Sequence, residues 1–313
     1  MRNEKEMMDL IINTAKKDDL VELQLLFEES IKEVQELHPG YDDHASDVWL
    51  VKTDKQEVVV RSSRMSEEPS NDFWWGCKSL FGIDPRNVFD LEQVNNKLYD
   101  VSSIPIPKVL KMGTISAREF VVVEKLSGAV VQSFKNQPPS VLQDLGEGLA
   151  KIHQYQVNYV GSPSGHFKVP LERFKQHLKE TMRDLVYKFY KDHTAIREKL
   201  PEITEWAEKI PNPQFATFVL ADMDPTQFLS NNKELTGLVD TEAYVMAPRE
   251  LEFIGLEYVL DKKSVKDFIT GYERIMEIPD LKSCRLPYRY LYRLLSVQGS
   301  VDINVWLNHD KLF

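Results

Sequence analysis

The sequence predicts a two-lobed α+β fold, in which a small β-rich lobe precedes a large helical one. Three observations carry this expectation. Short β-branched runs paired across polar turns dominate the chain after its first forty residues, a short connector ends them, and beyond it apolar residues recur at helical spacing. A chain of 313 residues can supply each lobe with its own core. With 42% hydrophobic residues, 28% charged residues and only 13 Gly and 16 Pro, collagen-like and low-complexity classes are excluded.

Leu10, Ile11, Ala15, Leu20, Leu23, Leu25, Leu26 and Ile31 recur near 3.6 spacing and predict helix through most of the first forty residues, up to a break at His38-Pro39-Gly40. Val48 to Val51 and Val58 to Val60 flank a polar turn and predict a hairpin. Val88, Leu91, Val94 and Leu98 predict a helix over 85–100, which Pro105 and Pro107 prevent from continuing. Lys108 to Met112 and Glu119 to Val123 predict a second strand pair. The expected boundaries are therefore 1–123 for the first lobe, 124–128 for the connector Glu124-Lys125-Leu126-Ser127-Gly128, and 129–313 for the second lobe. There, Leu142, Leu145, Leu149 and Ile152 form one helical stripe, and Leu171, Phe174, Leu178, Met182, Leu185 and Phe189 form another. A β-rich island from Ala216 to Asp240 interrupts the helices, which resume from Arg249.

Against 39 Lys and Arg stand 49 Asp and Glu, a net charge of −10 that repels phosphate backbones and argues against a nucleic-acid partner. No apolar run is long enough to span a bilayer and the N-terminus lacks a signal-peptide pattern, so no membrane partner and a cytoplasmic location are expected. Cys77 and Cys284 have no metal-site spacing and read as buried or idle thiols. Tyr288, Tyr290 and Tyr292, with Arg285, Arg289 and Arg293, read as core and surface of one late helix, and His153 as a packed core histidine.

The island runs strand, polar loop, strand, turn, strand, carboxylate, which sets Asp222 at a loop start and Asp240 at a strand end, positions that suit an active site between two lobes. In these residues the chain resembles the aminoglycoside phosphotransferase family, small-molecule kinases of the protein-kinase-like fold, whose catalytic loop runs His-Gly-Asp-x-x-x-x-Asn with a metal site following as Ile-Asp. The resemblance extends in order over most of the chain. It implies that Asp222 is the catalytic aspartate and that Gln227 and Asp240 hold magnesium. It also implies a nucleotide site, with Arg61 at the phosphates, Glu92 as its helix partner, and the connector at Glu124 and Leu126 meeting adenine. Leu149-Ala150-Lys151-Ile152-His153 resembles the helix after the hinge, and Pro248-Arg249-Glu250-Leu251-Glu252 the segment after the metal site. The implied activity is ATP- and Mg2+-dependent phosphorylation of a hydroxyl on a small molecule, with Asp222, Asp224, Asp240 and Glu242 favouring a cationic acceptor such as an amino sugar or amino alcohol.

Four departures separate this sequence from the pattern. Leu220 and Ala221 replace the loop's His-Gly, Gln227 is one methylene longer than asparagine, and Arg61 presents a planar guanidinium where the family has an ammonium. The loop His38 to Ser46 holds one glycine and the adjacent carboxylates Asp42 and Asp43, which disfavour phosphate. The alternative expectation is accordingly a kinase-fold binding or regulatory protein with impaired catalysis.

Overall fold

The computed structural model describes residues 12–13, 17–37 and 44–313, in two compact units. Leu10, Ile11 and Ala15 of the expected first helix and His38 to Asp43 of the expected phosphate loop lie outside the described residues.

The first unit comprises residues up to Glu68, Pro85–Asn96 and Pro107–Leu126. Its strands are β1 (Ile12–Asn13), β2 (Ile31–Glu36), β3 (Ser46–Thr53), β4 (Glu57–Ser63), β5 (Val109–Ile115) and β6 (Arg118–Glu124), in the order β1-β2-β3-β4-β6-β5. Both expected hairpins form, as β3-β4 and β5-β6. Strand alternation splits the apolar residues between two faces. Trp49, Val51, Val58, Val60, Phe120 and Val122 pack with Leu23 and Leu26 on one face, while Val121 and Val123 pack with Val88 and Leu91 on the other. Arg61 has the parity of Val59 and pairs with Val121, so it belongs to the second face.

Two expectations need correction here. The helix near the N-terminus covers Lys17–Leu25, whereas Ile31–Glu36 is a strand paired with β3. Ile31 and Val34 enter the same core as Leu23 and Leu26, so two successive elements mimic one helical stripe. The helix expected over 85–100 begins at Asp90 and runs to Val101, with Val88 in the turn before it.

The second unit comprises Pro69–Asp84, Lys97–Ile106 and Ser127–Phe313. Pro69–Asp84 and Lys97–Ile106, expected in the first lobe, thus pack within the second. The helix Asp72–Phe81 explains the first case: it carries the buried residues Trp74, Cys77, Leu80 and Phe81 and is tied to this unit through Asp72, which accepts from the hydroxyls of Tyr190 and Ser296. The unit's strands are β7 (Ala129–Val130), β8 (Tyr159–Gly161), β9 (Lys168–Pro170), β10 (Thr217–Leu220), β11 (Phe228–Ser230), β12 (Leu235–Leu238) and β13 (Tyr244–Ala247). They form two small sheets, β10-β13-β8-β9 and β12-β11-β7.

Helices form the rest of the second unit. Pro139–His153 crosses Ser264–Tyr272 at glycines: a Cβ on Gly146 would stand 2.1 Å from the Phe268 carbonyl oxygen, and one on Gly271 would stand 2.0 Å from that of Gln143. Glycine is required at both positions because the two backbones touch. In the late helix Arg285–Leu294 the three arginines are buried rather than on the surface. Arg289 donates to the carbonyls of Leu307, His309 and Asp310 and to Glu257, a buried carboxylate that also faces Arg285. Guanidinium groups capping otherwise unbonded carbonyls of the C-terminal segment account for this burial.

Candidate active site

The site residues of the second unit are positioned by two antiparallel pairings. β10 is buried along its whole length and pairs with β13 from Thr217↔Ala247 to Leu220↔Tyr244, and the Ala221 N–H then donates to Ala243 O. The chain leaves the sheet at this point, which puts Asp222 at its edge, half-buried. β11 pairs with β12 at Phe228↔Leu238, and the Val239 N–H continues the ladder to Gln227 O at 2.9 Å. Gln227 and Asp240 are therefore brought to the same end of this hairpin, beside the loop that carries Asp222.

The loop between the two pairings locks itself. Asp224 caps the 3-10 turn Pro225–Gln227: its Oδ1 accepts from Thr226 N at 2.8 Å and Thr226 Oγ1 at 2.6 Å. Gln227 Oε1 reaches back to accept from Asp224 N at 3.0 Å, completing a capping box. The extra methylene of Gln227 makes this return contact possible, and it engages the oxygen expected to ligate a metal.

Three carboxylates crowd this loop. The Asp222 carboxyl is pushed up to about 7, first by burial and then by the negative charges of Asp240 and Asp224. The same crowding reaches the helix Asp72–Phe81, where burial and then Asp222 raise the Cys77 thiol well above its ordinary range. Among the described residues no group of three or more His, Cys, Asp or Glu side chains is arranged to hold a metal ion. Magnesium needs less, because it is commonly held by one or two carboxylates together with phosphates and water. Asp240 fits that requirement, since a divalent cation held there would offset the negative charge that it presses on Asp222.

Behind the loop lies a buried relay that the sequence reading missed. Glu252 Oε1 accepts from Leu220 N at 2.8 Å, and His153 Nε2 stands 2.7 Å from Glu252 Oε2, although off the line of a good hydrogen bond. His153 Nδ1 meets the Tyr272 hydroxyl at 2.8 Å, which also accepts from Arg249 NH1 at 3.1 Å. His153 and Glu252 are both 0% exposed, so the core histidine expected from sequence also supports the loop. A single signal for Glu252 exists in the sequence: its immediate neighbours Leu251, Phe253 and Ile254 are all apolar.

The remaining expected residues belong to the first unit. Arg61 lies on β4 and is 6% exposed. Glu92 lies in the first turn of the helix Asp90–Val101, half-buried, and its carboxylate makes no ion pair among the described residues, so the expected pairing with Arg61 is not made. Helix phase accounts for this, since Leu91 rather than Glu92 turns fully into the packed face. Glu124 ends β6, with its N–H donating to Lys108 O at 2.9 Å, and Leu126 is half-buried in the connector.

The family model described as "Phosphotransferase enzyme family" matches residues 37–286, most of the chain. The chain belongs to this family. No curated protein matches its sequence. Among solved structures, the GDP and kanamycin complex of APH(2")-IIia is 15% identical with a TM-score of 0.61, covering 90% of each chain. Spectinomycin phosphotransferase with ADP and spectinomycin bound is also 15% identical, with a TM-score of 0.60, covering 91% of this chain and 87% of that one. A macrolide 2'-phosphotransferase from Brachybacterium faecium is 11% identical with a TM-score of 0.57, over 94% of this chain and 99% of the other. At such identities these family relatives share the fold, the two-lobed kinase-like α+β architecture expected from the sequence. Among the described residues no helix is long and apolar enough to cross a membrane.

Proposed function

We propose that this chain is an ATP-dependent phosphotransferase that phosphorylates a hydroxyl of a small molecule. The observation that carries the reading is the coupling of Asp222, just after β10, to Asp240, just after β12: the Asp222 carboxyl is pushed up to about 7 by burial, Asp240 and Asp224. A carboxylate tuned near neutral pH is matched to receiving a hydroxyl proton. In this reading Asp222 orients the acceptor hydroxyl and takes its proton as the phosphoryl group is transferred. Asp240 holds magnesium, which when bound neutralises charge on the phosphate oxygens. Gln227 contributes through the loop it caps, and its oxygen has a second lone pair to offer the cation.

Arg61, on the face of the first unit's sheet that carries Val121, contacts the nucleotide phosphates without help from Glu92. The backbone of Glu124 and Leu126 recognises the base. With the Glu124 N–H already donating to Lys108 O, the donor for adenine falls to Leu126. The GDP and kanamycin in one similar structure and the ADP and spectinomycin in another support this assignment, and Asp222, Asp224, Asp240 and Glu242 favour a cationic acceptor.

A second reading, a nucleotide-binding or regulatory protein with impaired catalysis, is favoured by the engagement of the Gln227 oxygen in the capping box. Nucleotide turnover by the purified protein with Mg-ATP, measured against amino sugars, choline-like alcohols and neutral sugars, separates the two. The enzyme reading expects acceptor-dependent ADP release that Asp222→Ala and Asp240→Ala abolish. If Mg-ATP raises the melting temperature without turnover, the regulatory reading stands, and if it neither binds nor turns over, both fall.

A further inference from the structure

A cavity of about 270 Å3 opens in the second unit between the loop that leads into β10 and the start of the helix Glu250–Val259. Phe215 lies just before Thr217 and Pro248 just after Ala247, the pair that ends the β10-β13 ladder opposite Asp222. The length of β10, about 13 Å at 3.3 Å per residue, therefore separates this cavity from the candidate active site.

Its walls carry polar groups that the protein leaves unused. Tyr288 is 1% exposed and lines the cavity, yet its hydroxyl makes no hydrogen bond among the described residues. Glu250 lines the same cavity, half-buried, and its carboxylate likewise has no partner among them. Arg249 donates from NH1 to the Tyr272 hydroxyl and to Glu277 O, while its Nε and NH2 make no bond among the described residues. Asp280 stands at the exposed rim, where it is not unused: its Oδ1 accepts from Lys282 N at 2.9 Å and its Oδ2 faces Lys282 Nζ at 4.0 Å. The Tyr288 hydroxyl opens onto the cavity, and with a carboxylate and guanidinium donors that lack partners among the described residues it forms a polar lining that a ligand would complete.

We propose that this cavity binds a basic amino acid, its carboxylate on Arg249 and its two ammonium groups on Glu250 with the Tyr288 hydroxyl and on Asp280. The charges fit: Arg249 complements the carboxylate and Glu250 one ammonium group, and Asp280 at the exposed rim, which Lys282 Nζ meets only at 4.0 Å, takes the other. The volume suits a molecule of amino-acid size and is too small for a nucleotide or an oligosaccharide antibiotic. The site needs no part of the phosphotransferase machinery.

Calorimetric titration of the full chain with L-lysine, in the absence of nucleotide, tests this. The expected result is one-to-one binding that weakens about tenfold or more for cadaverine, which lacks the carboxylate, and for norleucine, which lacks the side-chain amine. Glu250→Gln and Tyr288→Phe should each weaken lysine binding about tenfold, while Asp240→Ala leaves it unchanged. Melting curves without ligand confirm that the variants fold, and both substitutions preserve side-chain shape. No heat and no lysine-dependent rise in melting temperature at about 10 mM ligand, equal binding of cadaverine, or undiminished binding by Glu250→Gln would each overturn the proposal. Because no nucleotide is present, a negative result leaves the phosphotransferase reading where it stood.

Discussion

The N–H of Leu220 donates to Glu252 Oε1 at 2.8 Å, so the last residue of the strand before Asp222 is fixed from behind by a fully buried carboxylate. The family pattern has a histidine at position 220, whose ring would brace the loop. Here a leucine fills the space, and the backbone bond to Glu252 is left to hold the strand end. His153 and Tyr272 keep that carboxylate in place, across the glycine contact that joins their two helices.

Glu252→Ala should leave the buried Leu220 N–H without an acceptor and cost about 1–3 kcal/mol. Glu252→Gln keeps an amide oxygen for that bond and should lose much less. Chemical denaturation compares the two variants. Turnover of the same proteins should fall in the same order, because a loosened β10 end misplaces Asp222.

Asp222→Asn should abolish transfer and at the same time stabilise the protein. Folding raises the Asp222 pKa to about 7, so the folded state binds the proton more tightly than the unfolded chain. Stability from this group is complete below the unfolded value near 4 and is lost as pH rises through about 7. At pH 8 the amide removes that penalty, and a gain on the order of 1–2 kcal/mol is expected, less at pH 4. Melting temperatures at the two pH values check the sign.

Asp240→Asn removes the charge that, after burial, contributes most to raising Asp222. The Asp222 titration, followed by NMR of the side-chain carbon, should move to lower pH. Magnesium-dependent stabilisation by ATP should be lost in the same variant. An unmoved titration would mean that the two carboxylates do not feel each other.

Tyr244 and Tyr292 each bury a hydroxyl with no hydrogen-bond partner among the described residues, and both are raised well above the ordinary tyrosine range by burial first, with Glu252 among the charges that follow. Replacing an unpartnered buried hydroxyl with hydrogen removes its desolvation cost. Tyr244→Phe and Tyr292→Phe should therefore be neutral or stabilising by up to about 1 kcal/mol. A loss above that in denaturant melts would show that water bridges these groups to Glu252.

Gly146→Ala should destabilise by about 2 kcal/mol or more, as overpacking does, because its Cβ would stand 2.1 Å from a backbone oxygen that cannot move alone. The relay through His153 and Tyr272 lies along the same two helices, so loss of turnover should accompany the lowered melting temperature.

Legible in the residue pattern were the period-2 hairpins of the first unit, the helical stripes of the second and the strand-loop-strand order that puts Asp222 and Asp240 at chain exits, because these are short-range patterns of burial along the backbone. It misread Ile31 to Glu36, where two elements share one core, and it had no means to see that Pro69–Asp84 packs with helices more than a hundred residues away. Long-range packing sets the rest: Gln227 turns its oxygen into the loop, Glu92 makes no ion pair among the described residues, and Glu252 rather than a loop histidine secures the strand before Asp222. Each depends on which side chains meet across distant segments, and residue types at fixed spacing do not specify the direction of an amide, the phase of a helix or the partner of a buried charge.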